Sequence, residues 1–166
     1  MKITKLGHCC LLIEEGGLRI LTDPGNFSTA QNSITNIDII LITHEHADHF
    51  HLESLREVRT NNPKAKIITN KSVGLLLDKE QISYTLLGGG QSMRIADVLL
   101  EGHGGKHAEI YKTFNIVENT GYFIANRFFY PGDAFHNPGK PVEILALPVG
   151  GQWVKISEAV DYAKEL

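Results

Sequence analysis

The chain has 166 residues, of which 42% are hydrophobic and 21% charged, with a formal net charge of −3. That is the composition of one ordinary globular domain, residues 1–166, large enough to bury roughly two thirds of the surface its unfolded form exposes. No apolar run approaches a membrane span, the N-terminal "MKITKLGHCC" lacks a signal-peptide core, and the slight negative charge gives no footprint for nucleic acid, so a cytoplasmic protein without nucleic-acid or membrane partners is expected.

The first forty residues read as a meander. "KITKL" and "CCLLIEE" are short strands, and Gly16-Gly17 followed by "LRILT" is the two-residue signature of a hairpin. "IDIILIT", Ile37 to Thr43, is nearly continuous in apolar residues, as expected of a central strand covered on both faces. In "HLESLREVRT" the apolar Leu52, Leu55 and Val58 recur at helical spacing, and Asn61-Asn62-Pro63 stops that helix. Arg56, Arg59, Lys64 and Lys66 are interrupted by Glu53 and Glu57, which describes a solvated helix face. "KIITN" returns as a strand, and Asn70 can cap a second helix through "KSVGLLLDKE". "YTLL", "SMRI" and "VLLEG" follow as short strands around the glycines 88–90, then "GYFIA", an Asn126-Arg127 turn, "RFFYPGD" and "VEILALPV"; Ser157 can cap a closing helix, "EAVDYAKEL". Strands and helices on both sides of a glycine-rich midpoint suit two mixed sheets packed face to face with helices outside. Cys9 and Cys10, adjacent on a strand, point to opposite faces and cannot easily pair; they read as small buried residues in a reducing compartment.

"LITHEHADHFH" places four of the eight histidines directly after the central strand. His44 and His46, two apart in an extended segment, project to one side and can share an ion. If the chain bends after His46, Asp48 and His49 can face a second ion beside the first, so one loop supplies ligands to two metals from a rigid strand end. The helix-borne His-Glu-x-x-His signature is rejected, because Asp48 stands four residues after His44. Two distant segments offer the remaining ligands. "VLLEGHGGKHAEIY" carries His103 and His107, and "FFYPGDAFH" carries Asp133, which could bridge two cations after a sharp Pro-Gly turn, with His136 close behind. Asp23 in "LTDPG" has a similar strand-end position.

The ordered set "LGHCCLLIE", "LTDP", "THEHADH", "GGKHAEI", "YPGDAF" and "LALPVGGQW" resembles the metallo-β-lactamase superfamily, in its branch of lactonase-like and other small-molecule hydrolases. The resemblance implies a mixed α/β, α+β-type fold: a four-layer αββα sandwich with a dinuclear site at the edge between the sheets. By carry-over, His44, His46 and His107 resemble the ligands of the first metal, Asp48 and His49 those of the second, and Asp133 the bridging carboxylate. His107 is preferred to His103 because "HAEI" matches the family's pattern at that step. Asp23 matches an aspartate that orients ligands from behind, and His8 a recurrent position with either a supporting or a structural part. His51 and His136 match no ligand position and read as surface or packing histidines. Family members continue past the closing helix with a strand and a last histidine for the second metal. Either a shortened chain or an incomplete second site follows, and the first metal is expected to bind more tightly than the second.

The resulting expectation is a metal-dependent hydrolase that uses a metal-bound hydroxide on a small-molecule ester, lactone or phosphoester. Asp48 is the residue expected to act in catalysis, holding one ion and orienting the attacking oxygen. The ion expected first is zinc, with manganese, iron or nickel as alternatives and one or two ions per chain. Trp153 could wall the pocket or simply pack. Two competing readings are a mononuclear iron redox enzyme on the same fold and a non-catalytic metal-binding module. An unfinished outer sheet would leave an edge strand free, which allows a homo-oligomer.

Overall fold

The structure, a computed structural model, describes residues 1–166. A first sheet contains β1 (Lys2–Gly7), β2 (Cys10–Glu15), β3 (Leu18–Thr22), β4 (Ile39–Ile42), β5 (Lys66–Thr69) and β6 (Thr85–Leu86), paired in that order. The opening meander is antiparallel, and β3, β4, β5 and β6 then run parallel through helical crossovers. The second sheet has the order β11-β10-β9-β8-β7, from β7 (Ser92–Ile95), β8 (Val98–His103), β9 (Gly121–Ile124), β10 (Phe128–Tyr130) and β11 (Ile144–Leu145). The glycines at 88–90 mark the passage from one sheet to the other.

Period-two alternation assigns each strand two jobs. Ile39 and Leu41 on β4 face the gap between the sheets, where they join Leu11, Ile13, Ile68, Leu100, Tyr122 and Phe128. Ile40 and Ile42 face the other way, onto Leu55 and Val58 of α1 (Leu52–Asn61) and Val73 and Leu77 of α2 (Lys71–Lys79). All four β4 side chains are fully buried, each worth roughly 1.5–3 kcal/mol of apolar transfer, so this strand is firmly fixed between the two layers. The helix α3 (Ile156–Glu165) lies on the side of the second sheet: its Tyr162 hydroxyl donates to the His136 carbonyl, and the His136 ring stands 6.2 Å from that of His103 on β8. The result is the four-layer αββα sandwich. No helix is long and apolar enough to cross a membrane.

Local expectations hold where a cap or turn carries them. The Gly16-Gly17 hairpin joins β2 to β3, Asn70 caps α2 by accepting from the Val73 N–H, and α1 stops at Asn62, whose side chain binds Val58, Ile34 and Ile37 backbone groups. Three details differ. Ser157 is not a cap: α3 starts at Ile156 after Lys155, whose ammonium pairs with Glu158 instead. "VEILALPV" yields only two residues of strand, because β11 has a partner on one side alone and Pro148 has no N–H to extend the ladder. Cys9 sits in the β1–β2 turn and only Cys10 enters the strand; both are free thiols.

Candidate metal centre

β3, β4 and β10 all end at one rim of the sandwich, and the site is assembled there. Asp23, next after β3, is completely buried and has four donors. Its Oδ1 accepts from the Thr43 N–H at 2.7 Å, while its Oδ2 accepts from the Thr43 hydroxyl, from His49 Nδ1–H and from the Tyr130 hydroxyl, each at 2.7 Å. A buried carboxylate tolerates such a place only when its lone pairs are filled, and here it locks three strand ends together.

This network also decides which nitrogen of each imidazole is free. The Thr43 hydroxyl proton is committed to Asp23, so its oxygen accepts from His44 Nδ1–H at 3.0 Å. His107 Nδ1–H donates to the Ala108 carbonyl at 2.6 Å, and that of His49 is held by Asp23. In all three residues Nε2 faces inward. The Nε2 atoms of His44 and His107 are buried without any hydrogen-bond partner. An orphaned pair of acceptors inside a protein is costly unless something positive sits between them.

His46 completes the group. One nitrogen from each of His44, His46 and His107 lies within 4.8 Å of the others, with ring centroids 4.6–4.8 Å apart. After His46 the chain turns sharply, His49 N–H and Phe50 N–H both donating to the His46 carbonyl, and so presents Asp48 and His49 on the adjoining side. Asp133 stands between the two groups, with Oδ1 3.2 Å from His49 Nε2 and Oδ2 3.4 Å from His107 Nε2. Gly132 makes that placement: its φ is +65°, and a Cβ there would meet Asn119 Oδ1 at 2.3 Å and Thr43 Cβ at 2.9 Å. Asn119 in turn accepts from the Asp133 N–H, and Trp153 Nε1–H donates to Asp133 Oδ2 at 2.9 Å.

The electrostatics agree with a cation site. Burial, reinforced by the charge of His49, holds His44 well below the usual histidine range, so it is a neutral donor. Burial alone would also lower His49, but the Asp23 carboxylate and hydrogen bonds to Asp133 and Asp23 outweigh it and lift His49 well above that range. Asp133 shows the reverse balance: burial raises it, yet the imidazoles of His107 and His49 beside its two oxygens drive it far below ordinary carboxylates. A proton on His49 therefore supplies, between Asp23 and Asp133, the positive charge that a bound cation would supply in its place. Three imidazoles at one point and a carboxylate pair beside them fit divalent transition metals of the zinc, manganese, iron and nickel group.

The structure thus brings His44, His46, Asp48, His49, His107 and Asp133 together and leaves out His103. That residue sits on β8 facing Phe129 at 5.7 Å and lines, with His136, a separate cavity of about 650 Å³. His51 caps α1, accepting from the Ser54 N–H and pairing with Glu53. Sequence reading missed Tyr130, Thr43 and Asn119, whose only signal is proximity to the motifs, and left open for Trp153 what its hydrogen bond to Asp133 now gives it. The donors open into a cavity of about 1020 Å³ that runs from His46 and Asp48 past Phe27, Phe114 and Trp153 toward Ile3, Leu11 and Phe128 between the sheets.

Histidines and aspartates gathered at the rim between two sheets of an αββα sandwich define the metallo-β-lactamase-like class. A family model described as the beta-lactamase superfamily domain matches residues 2–166, and the chain belongs to that family. Among its relatives, the Mycobacterium tuberculosis protein Rv0786c is 36% identical over 169 residues, covering 99% of this chain and 78% of that protein. A UPF0173 metal-dependent hydrolase of Methanospirillum hungatei is 26% identical over 92% of this chain and 72% of its own. A crystal structure from Parabacteroides distasonis, described as a metal-dependent hydrolase, has a TM-score of 0.79 over 98% of this chain and 76% of that one; at 23% identity the likeness is one of fold.

Proposed function

We propose that the chain is a metal-dependent hydrolase acting on the ester, lactone or phosphoester bond of a small molecule. One ion would be held by His44, His46 and His107 and a second beside it by Asp48 and His49, with Asp133 shared. The observation that carries this reading is the pair of buried, unpartnered Nε2 atoms of His44 and His107 converging with His46. Ions so held would acidify a water and polarise the oxygen of the scissile group.

The remaining work falls to the protein's own groups. Asp23 and Thr43 keep the imidazoles in the tautomer that presents Nε2, and the Ala108 carbonyl does the same for His107. Trp153 holds Asp133 Oδ2 in place from the cavity side. Asp48 reaches the cavity wall with its side chain 27% exposed, where its carboxylate can orient the attacking water and take up its proton. Phe27, Phe114 and Trp153 give the cavity apolar walls, which suits a substrate with an apolar portion beside its reacting carbonyl or phosphoryl group.

The test is purification without added metal, metal analysis, and turnover of an ester, lactone and phosphodiester panel before and after chelation. The reading expects bound zinc or a related divalent ion, with turnover lost to chelator and restored by metal. Turnover that survives complete metal removal, or a chain that binds no metal, overturns it. Bound iron with redox turnover and no hydrolysis would establish the iron enzyme instead, and tight metal without turnover on any substrate the non-catalytic module.

A further inference from the structure

The first position has three imidazoles, whereas the second has Asp48, His49 and a share of Asp133. The β1–β2 turn brings a fourth donor to it. His8 Nε2 lies 2.9 Å from Asp48 Oδ2, the same oxygen that is 3.7 Å from His49 Nε2. A nitrogen of His8 and one of His49 are within 4.8 Å of each other, and the two rings stand edge to face at 6.1 Å.

The turn is shaped to deliver this side chain. Gly7 has φ +153°, and a Cβ on it would strike Ser28 Cβ at 2.6 Å, so the backbone lies closer to the 27–28 segment than any other residue allows. His8 itself is left-handed, φ +40°, which sends its ring over the site and against the edge of Phe27 at 5.0 Å; the Lys5 ammonium holds the His8 carbonyl. Cys9 is equally near, but its S–H donates to the Asp48 carbonyl at 3.0 Å and braces the loop from beneath.

We propose that His8 is a ligand of the second ion, its Nε2 joining Asp48, His49 and Asp133. On binding, the proton that Nε2 shares with Asp48 Oδ2 moves to Nδ1 or to solvent, and nitrogen and oxygen turn from each other to a common cation. The proposal rests on the reading of the site as a metal centre.

The experiment uses the full chain labelled with nitrogen-15, stripped of metal and titrated with cadmium-113 and, in parallel, with zinc. Its partner is His8→Asn, since Asn tolerates a left-handed backbone but is too short to reach the ion. The expected results are two ions on the unsubstituted chain and through-bond coupling between the second cadmium and the His8 ring nitrogen. In His8→Asn the first ion binds with unchanged affinity and an unchanged melting temperature, while the second is weakened at least tenfold, the lower end of what losing even an indirect partner of a ligand costs. Three outcomes overturn the proposal and leave the metal reading intact: only one ion taken up, two ions with no coupling to His8, or equal second-ion affinity in both chains. A chain that binds no ion overturns both.

Discussion

The buried half of the site and its rim are built on opposite terms. Asp23, Thr43, His44 and Tyr130 at strand ends and His49 in the loop that follows are all buried and joined by hydrogen bonds through Asp23 and Thr43. Around the mouth, Phe27, Phe114 and Val149 are 58–68% exposed on segments with no regular structure. The geometry of the inner donors is thus held by the sheets, where a displacement breaks several hydrogen bonds at once. The mouth of the cavity is left to loops, where a side chain can change at little cost to the fold. Substitutions should therefore separate cleanly, with stability and metal affinity lost together in the buried half and substrate preference altered alone at the rim.

The largest effect is expected for Asp23→Asn. The neutral amide meets donors from Thr43, His49 and Tyr130 on every side, and breaking such a buried charged network costs about 3–5 kcal/mol. Urea unfolding should show that loss together with weakened metal binding; a loss under 1 kcal/mol would mean the network is not what locks the strand ends.

Metal removal comes next. Free metal at about 100 times Kd stabilises the folded chain by about 2.7 kcal/mol, so the chelated protein should melt earlier by the corresponding amount. The pH dependence of that gap follows from the two imidazoles. His49 is lifted in the folded, metal-free chain, so its contribution is fully present below its unfolded value near 6.5 and fades as pH rises toward the folded value. His44 is depressed, so stability is retained above about 6.5 and lost as pH falls. The chelated chain should therefore be most stable near pH 6.5, and metal, by replacing the proton on His49, should remove the alkaline decline. An alkaline decline of the same size in loaded protein would contradict the assignment of His49 to the metal position.

A smaller change is expected for Trp153→Phe, which keeps an aromatic ring but removes the donor to Asp133 Oδ2. Metal affinity should fall about 10–100-fold, read by competition with a chromophoric chelator, with little change in stability of the metal-free chain. Smallest is Phe114→Ala, for which the unfolding free energy should stay within about 0.5 kcal/mol. KM for substrates with an apolar portion should rise while that for compact ones holds. A large stability loss at Phe114 would erase the distinction between the two regions.

Much of the site was legible because its chemistry is local. An apolar run ending in His-x-His-x-Asp-His announces a rigid strand that aims its ligands, and a Pro-Gly turn before Asp133 announces a side chain held at an angle. The choice of His107 over His103 was readable only through resemblance; in the fold, His103 is carried by the strand and His107 by the loop beyond it. Tyr130, Asn119 and the contact of His8 with Asp48 were not legible, since Tyr130 lies 107 positions from Asp23 and His8 40 from Asp48. Residue type at such separations says nothing until the chain has folded.

The sequence by itself determined the alternation of strand and helix, the division at the glycines, the caps of α2 and the clustering of metal-ligand residue types, because periodicity and turn chemistry act over a few residues. Tertiary structure alone decided which imidazole nitrogen faces inward, which distant histidine joins the group, and that Asp133 stands between two sets of donors. Those outcomes depend on hydrogen bonds closed between strand ends far apart in the chain, and such bonds exist only once both sheets have packed.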